Sequence, residues 1–193
     1  MKLNLGCGHN KRPGWVNVDH SDTCDPDVVV DLEHTPWPWP DNSVDEVLLS
    51  HVLEHLGERT RTYLDIWREL YRVCKPGARV LIFVPHPRHD DFITDPTHVR
   101  PILPEGVALF SQKENQKTIR GGFANTPLGI QMGIDFDMVK AELVPAPWYM
   151  EARRKGAMSA AELVSAGERW NNVYKEVRML LRAVKPAGSS SPG

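Results

Sequence analysis

Along the first half of the chain, apolar residues fall into short runs that repeatedly end in a glycine or an aspartate. Leu3 to Leu5 gives way to Gly6-Cys7-Gly8, Trp15 to Val18 gives way to Asp19, and Val28-Val29-Val30 gives way to Asp31. Val44 to Val52 and Arg79 to Val84 follow, and the β-branched content of these runs predicts five short strands. Between the fourth and fifth, Tyr63, Trp67, Leu70, Tyr71 and Cys74 recur at helical spacing, and Lys75-Pro76-Gly77 supplies the stop. Apolar strands with helical connections predict an α/β fold: a doubly wound, mostly parallel sheet buried on both faces. The connections before Val44 are too short for full helices, so the N-terminal helices of this sheet are trimmed.

Residues 86–130 have a different texture. His86, His89, Asp90, Asp91, Asp95 and His98 crowd together and Pro and Gly recur, which predicts a long loop or lid with at most one short helix. Met132 to Val144 alternates in part and reads as a further strand or hairpin pair. Ser159-Ala160-Ala161-Glu162 is a capping box. It opens an apolar stripe through Leu163, Ala166, Trp170, Val173, Val177, Leu180, Leu181 and Val184, which predicts a C-terminal helix over 159–185. Gly167 inside it costs roughly 1 kcal/mol and marks where such a helix would break. The expected organisation is one domain over 1–185 with a flexible polar tail at 186–193.

Composition narrows the class. The chain has 193 residues, 41% hydrophobic and 25% charged, with a formal net charge of −2, as in one globular domain. The longest uncharged stretch, Gly121 to Ile134, is shorter than the ~20 apolar residues of a membrane span, so no membrane partner is expected. Met1 runs directly into KLNL without a basic and apolar leader, and the expected address is the cytoplasm. Cys7, Cys24 and Cys74 lack C-x-x-C spacing and read as reduced thiols. Acidic residues dominate up to Thr60 and would repel a phosphate backbone. The basic residues near the C-terminus are interrupted by Glu162, Glu168 and Glu176 and read as a solvated face, so a nucleic-acid partner is not expected.

The candidate chemistry lies at the strand ends. Gly6-Cys7-Gly8 allows backbone to approach a ligand closely. A dinucleotide fingerprint would need a third glycine where Lys11 stands, and Asp19 follows Gly6 too soon to be its ribose acid, so a nicotinamide oxidoreductase is disfavoured. The spacing fits a nucleoside: Asp19 can accept from both hydroxyls of a ribose diol, Asp31 can accept from an adenine amino group, and the Leu32 amide can reach a ring nitrogen. Each Asp alone is an ordinary turn residue. Their order along successive strand ends gives the pattern meaning, since open parallel sheets bind ligands at the carboxyl ends of their strands.

LNLGCG, VNVD, VVVDLEHTPWPWPDNSVDEVLLSHVLEHL and RELYRVCKPGARVLIFVPH together resemble the successive motifs of class I S-adenosylmethionine-dependent methyltransferases, in the menaquinone and ubiquinone methylase-like branch. The resemblance covers residues 3–86. The segments DPTHVRP and NNVYKEVRMLLRAVKP also resemble a small bacterial and phage-associated group of such proteins. It implies a Rossmann-like methyltransferase fold and S-adenosylmethionine as cofactor. Gly6 and Gly8 would line its methionine and ribose part, Asp19 would hold the ribose hydroxyls, Asp31 with Leu32 the adenine, and Ser50 with His51 would face the sulfonium. Asn4 stands where the family often has an acid, and His9-Asn10 replaces the usual further glycine.

His51-Val52-Leu53-Glu54-His55 matches the H-x-x-E-H pattern of inverted zinc proteases, but it coincides with the methyltransferase HVLEHL motif and is assigned no metal. His86, His89, Asp95 and His98 are suitable ligands for a divalent ion. Acceptor-pocket residues, with His86 or His98 as general base, are the preferred reading over a metal site or plain loop structure. The absence of N/D-P-P-Y/W and of a Pro-Cys dipeptide argues against methylation of DNA bases. A small-molecule acceptor with a hydroxyl or other nucleophile remains, and the rival is a non-catalytic module that binds the cofactor.

Overall fold

The computed structural model describes residues 1–186. Seven strands form one sheet: β1 (Lys2–Leu5), β2 (Val16–Asp19), β3 (Val28–Val29), β4 (Val44–Ser50), β5 (Cys74–Pro85), β6 (Phe136–Pro145) and β7 (Tyr174–Ala183). Their order is β3-β2-β1-β4-β5-β7-β6. The first five are parallel, and β7 runs antiparallel between β5 and β6. Strand order reverses at β1, with β2 on one side and β4 on the other, which is the switch point where such sheets open a crevice.

Helix α1 (Thr60–Val73) joins β4 to β5 and buries Tyr63, Ile66, Trp67, Leu70 and Val73. Of the stripe its spacing predicts, Tyr63, Trp67 and Leu70 are buried, Tyr71 is half-buried, and Cys74 lies past the helix as the first residue of β5. Between β5 and β6 lie α2 (Asp90–Ile93), α3 (Pro104–Val107), α4 (Gln112–Arg120) and α5 (Leu128–Met132). Between β6 and β7 lie α6 (Pro147–Arg154) and α7 (Ala160–Arg169). Leu3, Leu5, Val18, Val47, Leu49, Val80, Ile82, Val84, Val177, Met179 and Leu181 point to one side of the sheet and form the core with α1. At its centre Trp67 stacks on Phe110 at 4.2 Å between ring centroids and meets the Phe136 edge at 5.5 Å.

Three expectations are corrected. The sheet is not buried on both faces: on the second face Arg79, Arg178 and Arg182 are exposed and Leu81, Phe83 and Leu180 only partly buried. In keeping with the short connection expected there, residues 6–15 join β1 to β2 as a loop, whose polar backbone is met by buried amides. Asn4 Nδ2 donates to the Asn10 carbonyl (3.1 Å) and to Asn17 Oδ1 (3.0 Å), and Arg12 N donates to the same Asn17 oxygen (2.7 Å).

The C-terminal helix over 159–185 is also corrected. The capping box at Ser159 and Glu162 is present, but the helix stops at Arg169 and the remainder is strand β7. Val177, Met179, Leu181 and Ala183 alternate with Arg178, Leu180 and Arg182, a period of two that the looser apolar stripe obscured. Asn172 turns the chain at φ +61°. A Cβ on Gly167 would lie 2.3 Å from the Tyr174 ring, so that glycine lets the helix pack onto the strand that follows it. Finally, 86–130 holds four helices instead of at most one. Its longest, α4, is QKENQKTIR, a sequence too polar to show apolar periodicity, capped by Ser111 and anchored by buried Asn115. The tail expected at 186–193 lies, from residue 187 on, outside the described residues.

Candidate active site

The turn after β1 places Gly6 and Gly8 at φ +62° and +48°. A Cβ on Gly6 would come within 2.4 Å of Val52, so only glycine lets this turn and the segment after β4 close on each other. The intervening Cys7 is buried, and its N–H donates to the Val18 carbonyl, tying the turn to β2. Burial, then the nearby Asp19 carboxylate, raises the Cys7 thiol pKa.

Asp19, 7% exposed at the end of β2, reaches across to that turn. Its Oδ2 accepts from Gly8 N at 2.8 Å and its Oδ1 from Ser21 N at 3.0 Å. An ionised carboxylate has about four acceptor positions, and these two amides leave lone pairs for a diol. Asp31 is exposed, and its oxygens accept from Glu33 N (2.9 Å) and meet His34 Nδ1 (2.7 Å). The Glu33 amide holds its carboxyl below the usual range, against burial and with help from His34. Leu32 is buried beside it, and its carbonyl accepts from the Trp37 indole at 3.0 Å.

At the end of β4, Ser50 is half-buried, and His51 adopts φ +57° with its N–H donating to the Phe83 carbonyl. The His51 ring lies between two carboxylates, 3.1 Å from Glu176 Oε2 and 3.6 Å from Glu54 Oε1. Glu54 first, and Glu176 after it, raise the imidazole pKa while burial opposes them. Gly6, Gly8, Ser50 and His51 line one cleft of about 470 Å³ together with Cys7, Asn10 and Leu48. A second, more apolar cleft of about 390 Å³ opens where α1 meets residues 100–110, lined by Tyr63, Leu64, Arg100, Ile102 and Phe110.

The histidines expected to act together are separated. His86 Nδ1 accepts from Arg88 N (3.1 Å), and its ring packs near Tyr174. Burial, reinforced by Arg88, lowers its pKa. His89 Nδ1 caps α2 by accepting from Asp91 N. His98 instead lies against His55, ring centroids 4.6 Å apart, with Nδ1 on the Phe92 carbonyl at 2.9 Å. Because a carbonyl only accepts, that bond puts the proton on Nδ1 and leaves the Nε2 lone pair free.

The residues that sequence reasoning passed over are Glu54, His55 and Glu176. HVLEH was visible as a pattern, but nothing local marks Glu54 as buried. Its segment is a 3-10 turn, Leu53–His55, so His51 and His55 do not share an α-helix face. Glu176 reaches His51 only because β7 pairs antiparallel with β5, in the register that sets Glu176 opposite Pro85.

A model of a methyltransferase-domain family matches residues 3–82. No curated protein matches the chain. Among solved structures, a SAM-dependent methyltransferase from Archaeoglobus fulgidus aligns at 19% identity and TM-score 0.61, covering 94% of this chain and 85% of that one. An S-adenosylmethionine-dependent methyltransferase from Mesorhizobium loti aligns at 16% identity and TM-score 0.51, covering 94% and 90%. The 1,6-didemethyltoxoflavin-N1-methyltransferase of Burkholderia thailandensis, solved with 1,6-didemethyltoxoflavin and S-adenosylhomocysteine, aligns at 13% identity and TM-score 0.51, covering 95% and 71%. Residues 3–82 thus carry the pattern of a methyltransferase domain, and the sheet as a whole has the fold of these SAM-dependent methyltransferases.

Proposed function

We propose that the chain is a class I S-adenosylmethionine-dependent methyltransferase that methylates a hydroxyl or other nucleophile of a small molecule, in one domain that holds donor and acceptor over the carboxyl ends of β1, β2 and β4. The observation that carries this reading is the convergence of Gly6, Gly8, Ser50 and His51 on one cleft, with buried Asp19 bonded to Gly8 at its edge. Gly6 and Gly8 bring backbone against the methionine and ribose, Asp19 takes the ribose hydroxyls on its remaining lone pairs, and Asp31 with the Leu32 amide takes the adenine. Ser50 and His51 border the sulfonium. The donor supplies a methyl group already activated on a cationic sulfur, so the protein's part is to align the acceptor and exclude water.

Of the two general-base candidates, hydrogen bonding favours His98. The Nδ1 lone pair of His86 is spent on the Arg88 amide, whereas His98 keeps Nε2 free to receive a proton. The small-molecule class is supported by the Burkholderia thailandensis neighbour, whose structure carries 1,6-didemethyltoxoflavin. The largely acidic strand-end region adds support by being unsuited to a phosphate backbone. The test is calorimetric titration with S-adenosylhomocysteine, with NAD as control. The wild-type chain should bind the nucleoside, and Asp19→Ala should weaken binding by at least about tenfold, the loss of one charge-assisted hydrogen-bond set at roughly 1.5–3 kcal/mol. Equal affinity in the variant would sink the assignment of Asp19.

A further inference from the structure

We propose that Glu54, His55 and His98 form a binding site for one divalent transition-metal ion, between the turn that follows β4 and the loop that packs on it. One donor atom from each of the three residues lies within 4.8 Å of the others. Ligands about 2.0–2.2 Å from one tetrahedral ion stand about 3.3–3.6 Å apart, so the three side chains would have to close on the ion by up to about 1.5 Å.

Glu54 is what makes this more than a chance grouping. It is 1% exposed, and neither carboxylate oxygen has a hydrogen-bond partner among the described residues. The nearest basic atom, His51 Nδ1, is 3.6 Å away, beyond a hydrogen bond. A buried carboxylate whose oxygens accept no hydrogen bond and face only one imidazole at ion-pair distance is costly, and buried charges are characteristically hydrogen-bonded, paired or bound to metal. The two imidazoles are arranged as metal ligands are. His98 donates Nδ1–H to the Phe92 carbonyl. His55 Nδ1 lies 2.9 Å from Thr97 Oγ1, which itself donates to Asp95 Oδ1 and must therefore accept from His55. Both rings thus keep Nε2 as the free lone pair, each oriented from behind by an oxygen, as ligating histidines almost always are. The loop that carries His98 is also fixed to the turn that carries Glu54, because Val99 N and Arg100 N both donate to the Glu54 carbonyl (2.9 and 3.3 Å).

One carboxylate oxygen and two imidazole nitrogens suit zinc, manganese, iron(II) or cobalt(II) better than calcium or magnesium, which prefer oxygen alone. Three protein ligands leave a coordination position open. On the methyl-transfer reading above, on which this part rests, an acceptor hydroxyl at that position would be held and made more acidic by the ion, which would then replace His98 as the activating group because its Nε2 is bound. Metal binding itself does not depend on that reading.

The experiment uses the full, untagged chain, stripped with chelator and dialysed, then titrated with cobalt(II) by calorimetry and visible absorption, with zinc as competitor. One equivalent should bind per chain with a ligand-field spectrum that zinc abolishes. Glu54→Gln and His98→Ala should each weaken binding by more than about 100-fold and Thr97→Val by about tenfold, since outer-shell losses alone cost 10–100-fold. Cys24→Ser should leave binding unchanged. Glu54→Gln keeps the shape of the side chain and stands as the deciding variant if His98→Ala does not fold. Absence of cobalt binding, or equal binding by Glu54→Gln, overturns the proposal. S-adenosylhomocysteine titrated into the same stripped protein separates the two readings. Nucleoside bound without metal leaves the donor site standing alone, and metal bound without nucleoside leaves the metal site standing while the donor assignment falls.

Discussion

The two faces of the sheet solve the same burial problem by opposite means. On one, α1 lays Ile66, Trp67 and Leu70 over Leu3, Val47, Val80 and Ile82, and Trp67 is sandwiched by Phe110 and edged by Phe136. On the other, where the connections are too short for helices, cations do part of the covering. Lys2 and Arg12 flank the Trp15 ring, Arg178 lies 5.3 Å from the Phe83 ring centroid, and Glu46 pairs with both Lys2 (2.9 Å) and Arg79 (3.2 Å). Long basic side chains shield apolar surface with their stems while the heads stay wet. The difference implies that stability is concentrated on the helical face. The open face carries the loop 6–15, whose first residues line the cleft, and can tolerate more change.

The largest test of that contrast is Trp67→Ala, which should cost about 3–5 kcal/mol, as deletion of a fully buried aromatic ring does. Urea unfolding would measure it, and a loss under 2 kcal/mol would mean that the helical face is not the main source of stability. A smaller, pH-dependent effect belongs to His86, at the end of β5. Burial favours its neutral form, so its folded pKa lies below its unfolded value of about 6.5. Its contribution is therefore complete above pH 6.5 and is lost as pH falls from there through the folded pKa, because the unfolded chain binds the proton more readily. Unfolding midpoints from pH 8 to 5 should fall more steeply for the wild type than for His86→Gln, and parallel curves would contradict the burial argument. The smallest effect is expected on the open face. Glu46→Gln should cost roughly 0.2–1 kcal/mol at low salt, shrinking in 1 M NaCl as exposed ion pairs do. A loss comparable to that of Trp67→Ala would erase the distinction between the faces.

Legibility follows the same division. Strands β1 to β5 and helix α1 were readable because each holds an apolar run of its own, with β1 to β3 closed by a glycine or an aspartate, so local sequence suffices. The places of Gly6, Gly8 and Asp19 at the switch point were readable too, since the pattern locates the strand ends that carry them. β7 was misread as helix because its apolar residues fit a loose stripe as well as an alternation, and only pairing with β5 and β6 selects the extended form. The helices within 86–130 escaped notice because α4 is held by caps and one buried amide in place of an apolar stripe.

The sequence by itself determined the α/β class, the trimmed N-terminal connections and the nucleoside-like order of Gly6, Gly8, Asp19 and Asp31. Those features depend on residues near one another in the chain, whose conformational preferences act locally. Only the tertiary structure decided which charges meet. Glu176 reaches His51 through the register of an antiparallel strand, His98 reaches His55 and Glu54 through a loop that closes over 40 residues, and the buried state of Glu54 belongs to no residue alone. Burial and long-range pairing are properties of the packed chain, set by the surface that folding removes from water, and they have no signature in a single stretch of sequence.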